Sequence, residues 1–233
     1  MIENPWLLYA ALPAAAYAIG STPFGVIIAR VHNTDLRSKG SGNVGATNVG
    51  RVIGRNWGFL CFFLDVGKGL GPALAAGLLV RTHPGAIPTS AQQVALLMVA
   101  FGAIAGHVFS FYLRFRGGKG VATSLGVVLG IWPYFTWPGL CAFAVWIAVT
   151  LASRYISLAS IVAAAAFVVF FAAFNAGNLS RLWPLGAFAA AMAALIVVRH
   201  RTNIARLLAG TESRIGAKRG KPETDTKAQD VSN

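Results

Sequence analysis

Polar positions along this chain are sparse and clustered, and long apolar runs lie between them. Residues 6–29, 57–80, 94–113, 158–176 and, a little shorter, 182–198 form such runs. A helix crosses the hydrocarbon core of a bilayer in about 20 residues, so each run predicts a span. A further run, 121–151, is too long for one span and is interrupted by Pro133 and Pro138. It predicts a short helix to about Ile131 and a second over 137–151. The pattern describes an all-α, polytopic membrane helix bundle of about seven transmembrane helices, or about five if 121–151 is one tilted helix and an end segment lies flat. Residues 1–215 read as a single membrane-embedded domain, and the polar remainder, 216–233, has no apolar face and reads as a disordered tail.

The first run differs from a secretory signal, because its only preceding charge is Glu3 and it ends at Arg30 without a small-residue cleavage pattern. It predicts a retained span with the N-terminus outside. The basic residues give the same orientation: the segments then placed inside hold 17 of the 20 Lys and Arg, whereas the outer loops hold Arg81 and Arg181. Lys and Arg in short loops favour the cytoplasmic side, so the C-terminus is expected there. Trp6, Trp57, Trp132, Trp137 and Trp183 fall near predicted span ends, where indoles prefer the interface.

Composition narrows the class. Charged residues make up 12% of the chain, about half the ~25% of an average soluble domain. The net charge of +13 alone fits a nucleic-acid binder, but the mean hydropathy of +0.62 does not. Cys61 and Cys141 sit in apolar runs with no metal-ligand or redox spacing. No metal, no cofactor, no nucleic acid and no obligate protein partner is expected; the membrane lipid is the expected surrounding.

Three polar segments, all predicted to be inside, carry candidate chemistry. Gly40-Ser41-Gly42-Asn43-Val44-Gly45-Ala46-Thr47-Asn48-Val49-Gly50-Arg51 contains a G-x-G-x-x-G string, with Asp65 twenty residues past Gly45. A dinucleotide fingerprint needs a strand before it and a βαβ unit around it, and here spans flank it. What remains is a run of backbone N–H groups, hydroxyls and amides with an Arg fork suited to phosphate; the alternative is a flexible connector. Arg114-Phe115-Arg116-Gly117-Gly118-Lys119-Gly120 lacks the Walker pattern, because Leu113 stands where Gly is required and Gly120 follows Lys119. A glycine turn opening a helix is still an anion site; the alternative is a basic anchor loop. In 199–212, His200 and Asn203 share a helical face, Gly210 reads as a helix stop, and a neutral His beside an amide suits a hydroxyl. The alternative is a basic helix touching anionic lipid. Asp65 and Lys68, three apart within a span, predict a pair that supports the first loop, and His107 a helix–helix hydrogen bond. Together the three segments point to a phosphorylated anion.

GSGNVGATNVGR, RFRGGKGVATSLG and RHRTNIARLLAGTE, in this order and spacing, resemble the three motifs of the bacterial acyl-phosphate:glycerol-3-phosphate acyltransferase family. GSTPFG from Gly20, DVGKG from Asp65 and SRYISLAS from Ser153 are also similar, so the likeness runs from Gly20 to Glu212; the family pattern carries Pro where Ser110 stands. The resemblance implies a multi-pass enzyme of the bacterial cytoplasmic membrane, with its active site at the cytoplasmic face. It would transfer a fatty acyl group from acyl phosphate to the 1-position of glycerol 3-phosphate, giving lysophosphatidic acid and phosphate. It implies Ser41, His200 and Asn203 as catalytic, Arg51, Gly117, Gly118, Lys119 and Gly120 as substrate-binding, and Glu212 as structural. By residue type and position, Gly42, Asn43, Thr47 and Asn48 are also expected to bind substrate, and Asp65 and Lys68 to be structural. The His-x-x-x-x-Asp motif of acyl-CoA- or carrier-using acyltransferases is absent: Arg37, Pro88, Tyr112 and Ala205 stand five residues after the four histidines. A membrane transporter of a phosphorylated solute is the alternative, since it too would want basic loops and intramembrane charges.

Overall fold

The computed structural model describes residues 5–80 and 87–216. The tail reading from residue 217 onward, the outer placement of Arg81 and the position of Glu3 lie outside the described residues. Within them the chain is helical and has no strand. The first run is a π-helical turn, Leu7–Ala11, continuing into α1, Leu12–Ser21. Pro23 lacks the N–H that would continue the helix, so the chain breaks and restarts as α2, Phe24–Val31. A loop and α3, Ala46–Val52, lead to α4, Arg55–Val80, the longest helix. Thr89 and Gln92 close a reciprocal capping box at the start of α5, Ser90–Val108. The interrupted run divides as its prolines predict, into α6, Val121–Gly130, and α7, Thr136–Ser153. Arg154, with φ of 62°, turns the chain directly into α8, Ile156–Phe174. The last pair is α9, Trp183–Arg199, and α10, Arg201–Leu208, bent by 57° at His200. That bend departs from the single helix expected over this motif. The stop at Gly210 is found, with φ of 69°.

Among the described residues five stretches are long and apolar enough to cross a membrane, Leu7–Val31 taken across the Pro23 break, α4, Ser90–Leu113, α7 and α8, and six if α9 and α10 form one span. With ten residues, α6 rises only about 15 Å. Hydrogen bonds nevertheless sort the segments to two ends. Tyr9 reaches the Ala91 carbonyl, Gln93 the carbonyls of Pro88 and Arg181, and Asn175 that of Tyr134. At the other end Ser110 donates to Ser21 O and Arg199 to Gly118 O, while Ile215 N–H bonds Arg154 O. All three polar motifs gather at this second end.

Outward faces carry Phe63, Leu78, Phe101 and Val169, as a lipid-facing surface requires. Inside, Phe135 is fully buried and meets Phe167 and Phe171 edge-on at 5.2 and 5.5 Å. Where lipid tails are as apolar as side chains, close backbone approach rather than hydrophobic burial holds helices together. Glycines provide it. A Cβ at Gly102 would meet Pro13 O, and one at Gly106 Tyr17 O, across the α1–α5 contact. On the α4–α6 contact, Gly69 faces Thr123 O and Gly126 faces Val66 O, so α6 starts against the middle of α4. A second small core, Ile28, Leu36, Val49 and Cys61, ties α2 and α3 to the first half of α4. Gly126→Ala places a methyl 2.7 Å from Leu70 N. The expected cost is about 1–3 kcal/mol, read as a lowered unfolding temperature in detergent.

Candidate active site

A cavity of about 390 Å³ opens where the three motifs meet α6, α7, α8 and α9. Ser41, Asn43, Thr47, Asn48, Arg51, Asp65, Lys119, Gly120, His200, Asn203 and Glu212 all line it. Gly42, Lys68, Gly117 and Gly118 do not. On α8 both Ser157 and Phe167 line the cavity, and His200, just past α9, and Met192 on it do the same. These are separations of about 15 and 12 Å at 1.5 Å per residue. One end of the cavity is therefore polar and basic, and the remainder apolar.

The polar end is organised by Glu212. Its Oε1 accepts from Ser157 Oγ at 2.8 Å and Asn203 Nδ2 at 2.6 Å, and its Oε2 from Arg206 Nε at 2.7 Å. Partial burial opposes its charge, but the bonds from Arg206, Asn203 and Ser157 outweigh this and hold the carboxyl below its usual range. The far side of Asn203, its Oδ1, accepts from Lys119 Nζ. Beyond Glu212, Arg214 donates to Tyr155 OH at 2.9 Å, which straps the segment after α10 across the α7–α8 turn.

Lys119 is thereby fixed rather than free to sweep. Burial lowers its pKa to about 8; the Glu212 charge resists this, and Arg206, Arg51 and Arg199 add to the lowering. It remains a cation at neutral pH, surrounded by cations that one carboxylate does not balance. Such a site favours an anion.

The glycines of the second motif serve differently from the expectation. Gly117 and Gly118 N–H donate to the carbonyls of Val108 and His107, both at 3.1 Å. Those amides are engaged with protein and are not a phosphate cradle. A Cβ on Gly117 would strike His107 O, and one on Gly118 the His107 ring. The glycines let the loop lie flat on the end of α5, which turns Lys119 toward the cavity, while Arg199 holds the Gly118 carbonyl at 3.0 Å. Gly120, with φ of 85°, then starts α6.

In the first motif, Asn48 is almost fully buried, and its amide is occupied. Nδ2 donates to the carbonyls of Leu36, Lys39 and Asn43, and Oδ1 accepts from Ser41 N. Its bonds shape the loop, and Asn43 Oδ1 likewise accepts from Gly45 N at 2.9 Å. Ser41, Thr47 and Arg51 keep side chains at the cavity. Arg37 donates to Arg116 O at 2.9 Å and joins the first loop to the second.

His200 is buried. Its Nδ1 lies 2.8 Å from Ile196 O, and because a carbonyl only accepts, the proton is on Nδ1 and Nε2 carries a lone pair. Burial first, and then the Lys119 charge, push the imidazole down to about 4. It is neutral at physiological pH, an acceptor for a hydroxyl and a weak base.

Asp65 Oδ1 and Lys68 Nζ pair at 2.8 Å, as expected, but their reach differs from the expected support of the first loop. Lys68 donates to Thr22 O at the α1–α2 break, and Asp65 stands 3.6 Å from His107 Nδ1, behind the second loop. Residues that the sequence reading left unassigned include Ser157, which binds Glu212. Its presence in the SRYISLAS turn was the available signal.

The Lys119 environment sets a pH dependence for anion binding. Sulfate stays dianionic across the range, so its affinity should weaken as pH rises through about 8, where Lys119 loses its proton. Lys119→Arg, always charged, should remove that step; ligand-induced thermal shift reads both.

Comparison with known proteins places the chain in a family. The family model for glycerol-3-phosphate acyltransferase matches residues 10–210. A glycerol-3-phosphate acyltransferase of Geobacter sulfurreducens is 42% identical over 206 residues, covering 88% of this chain and 97% of that one. One from Aquifex aeolicus is 42% identical over 200 residues, covering 85% and 95%. The crystal structure of PlsY (YgiH), an integral membrane glycerol 3-phosphate acyltransferase, in its glycerol 3-phosphate form superposes with a TM-score of 0.77 at 41% identity, covering 88% of this chain and 94% of that one. The lysophosphatidic acid form gives 0.74 at 40% identity, with the same coverage. This chain is a multi-pass, all-helical membrane protein that belongs to the glycerol-3-phosphate acyltransferase family.

Proposed function

We propose that this protein transfers a fatty acyl group from acyl phosphate to the 1-hydroxyl of glycerol 3-phosphate, at the cytoplasmic face of the bacterial inner membrane. The observation that carries the reading is the position of Lys119. It is held by Asn203 and Glu212 at the basic end of a cavity whose other end is apolar. Both substrates carry a phosphate, which the cluster of Lys119, Arg51 and Arg206 attracts, and the acyl chain suits the apolar end between α6, α8 and α9. The related structures in glycerol 3-phosphate and lysophosphatidic acid forms support the acceptor and the product.

Acyl phosphate is an activated donor, so no covalent enzyme intermediate is needed. The glycerol hydroxyl attacks the carbonyl carbon and the C–O bond to phosphate breaks. The hydroxyl proton leaves with the phosphate as its base. His200 contributes by accepting from the hydroxyl at Nε2 and orienting it, because an imidazole with a pKa near 4 removes a proton poorly. Arg51 and Ser41 complete the phosphate contacts. Charges inside spans had raised the transporter alternative, but Asp65 and Lys68 pair with each other.

Purified protein in detergent, given labelled glycerol 3-phosphate, should make lysophosphatidic acid with acyl phosphate and none with acyl-CoA; no product from acyl phosphate overturns the reading. Lys119→Ala should raise the KM for glycerol 3-phosphate about tenfold or more, the loss of a charge-assisted bond. An unchanged KM would move that phosphate away from Lys119.

A further inference from the structure

Ser124 stands on the first turn of α6, four residues past the glycine that starts the helix. It is 3% exposed and lines the cavity, yet its hydroxyl has no hydrogen-bond partner among the described residues. That is unusual for a helical serine, whose hydroxyl commonly bonds back to the carbonyl four residues earlier. Here the backbone N–H of Ser124 bonds Gly120 O at 2.7 Å, but its hydroxyl does not. A buried hydroxyl without a partner costs about 1–3 kcal/mol, so its persistence at a cavity wall points to an acceptor that arrives with a ligand.

Its place along the cavity says which acceptor. Helical side chains tilt toward the N-terminus, so Ser124 Oγ leans back to Gly120, about 4.0 Å from that residue's Cβ position. Lys119 precedes it at the basic end, and Leu125 and Val128 follow it on the cavity wall. Ser124 therefore sits at the boundary between phosphate and acyl chain, where an acyl donor carries its carbonyl. The opening turn of α6 adds the positive end of the helix dipole at the same point. Among the other serines on the wall, Ser157 is engaged with Glu212 and Ser160 with Ile156 O and Trp146, while Ser41 and Ser213 are exposed to solvent and so carry no buried, unpaired hydroxyl.

We infer that Ser124 Oγ–H donates to the carbonyl oxygen of the acyl donor and is a catalytic residue of this site. As the glycerol oxygen bonds to the carbonyl carbon, the C=O π pair moves onto the carbonyl oxygen, and the hydrogen bond from Ser124 strengthens as the charge there grows. Collapse restores C=O, expels phosphate with its electron pair, and the hydroxyl proton ends on phosphate. Ser124 keeps its own proton throughout. The inference rests on the acyl-transfer reading, and it holds for any leaving group on the acyl carbon.

The test measures wild type, Ser124→Ala and Ser124→Thr, first establishing which donor the wild type uses. With that donor, Ser124→Ala should lower kcat about 100-fold, the usual loss of one oxyanion donor, with KM for glycerol 3-phosphate within about threefold. Ser124→Thr, which keeps the hydroxyl, should recover most of the rate. The unfolding temperature of Ser124→Ala in detergent should equal or exceed that of wild type, since an unpaired polar group is removed. A kcat within about threefold of wild type overturns the inference, and so does a loss of rate matched by a loss of stability. A wild type that uses only acyl-CoA overturns the donor reading while leaving the Ser124 comparison decisive.

Discussion

The site depends on one carboxylate. Glu212 stands beyond the last helix and binds Ser157 on α8, Asn203 and Arg206 on α10, and through Asn203 reaches Lys119 before α6. Hydrogen bonds to a charged group are each worth about 1.5–3 kcal/mol, so this is a strong tie between α8, α10 and the loop before α6. It also sets the electrostatics. One negative charge among Lys119, Arg51, Arg199 and Arg206 is enough to fix Lys119 in place, but leaves the cavity end positive for an anionic substrate.

Around that tie, the fold repeatedly uses glycine for proximity rather than for flexibility. Gly126 and Gly69 bring α6 against α4, and Gly117 and Gly118 press the Lys119 loop onto His107. The consequence reaches the chemistry: α6 begins deep beside the middle of α4, so its opening turn, with Ser124, lies within the cavity. A neutral His200 at the α9–α10 bend completes this arrangement. Positioning and field, with little proton transfer by the protein, are sufficient for an activated acyl donor.

Much of this was legible in the sequence because membrane helices write long apolar runs and prolines mark their breaks. Pro133 stands where the 121–151 run divides and Pro138 in the first turn of the helix that follows, whereas the first run reads as one span and does not announce its break at Pro23. The candidate residues were legible as a set, since dense glycine, amide and Arg are rare in such a chain. Their individual duties were not. Asn48 looks like a ligand by residue type, yet its amide is consumed by carbonyls from Leu36 to Asn43, contacts that only the loop's closure creates. The bend at His200 and the role of Ser157 likewise arise from packing between segments distant in the chain. Ser124 was visible only as a hydroxyl within the second motif's string; its role needs burial and a missing partner to be seen together.

In the proposed mechanism Lys119, held by Asn203 and through it by Glu212, is the cation around which substrate phosphate is placed. A high-resolution structure of this protein with glycerol 3-phosphate bound would show whether it is. The phosphate should lie within hydrogen-bonding distance of Lys119 Nζ, with the Asn203–Glu212 bond intact and the 1-hydroxyl facing His200 Nε2. A phosphate bound elsewhere, with Lys119 still engaged only by Asn203, would contradict it.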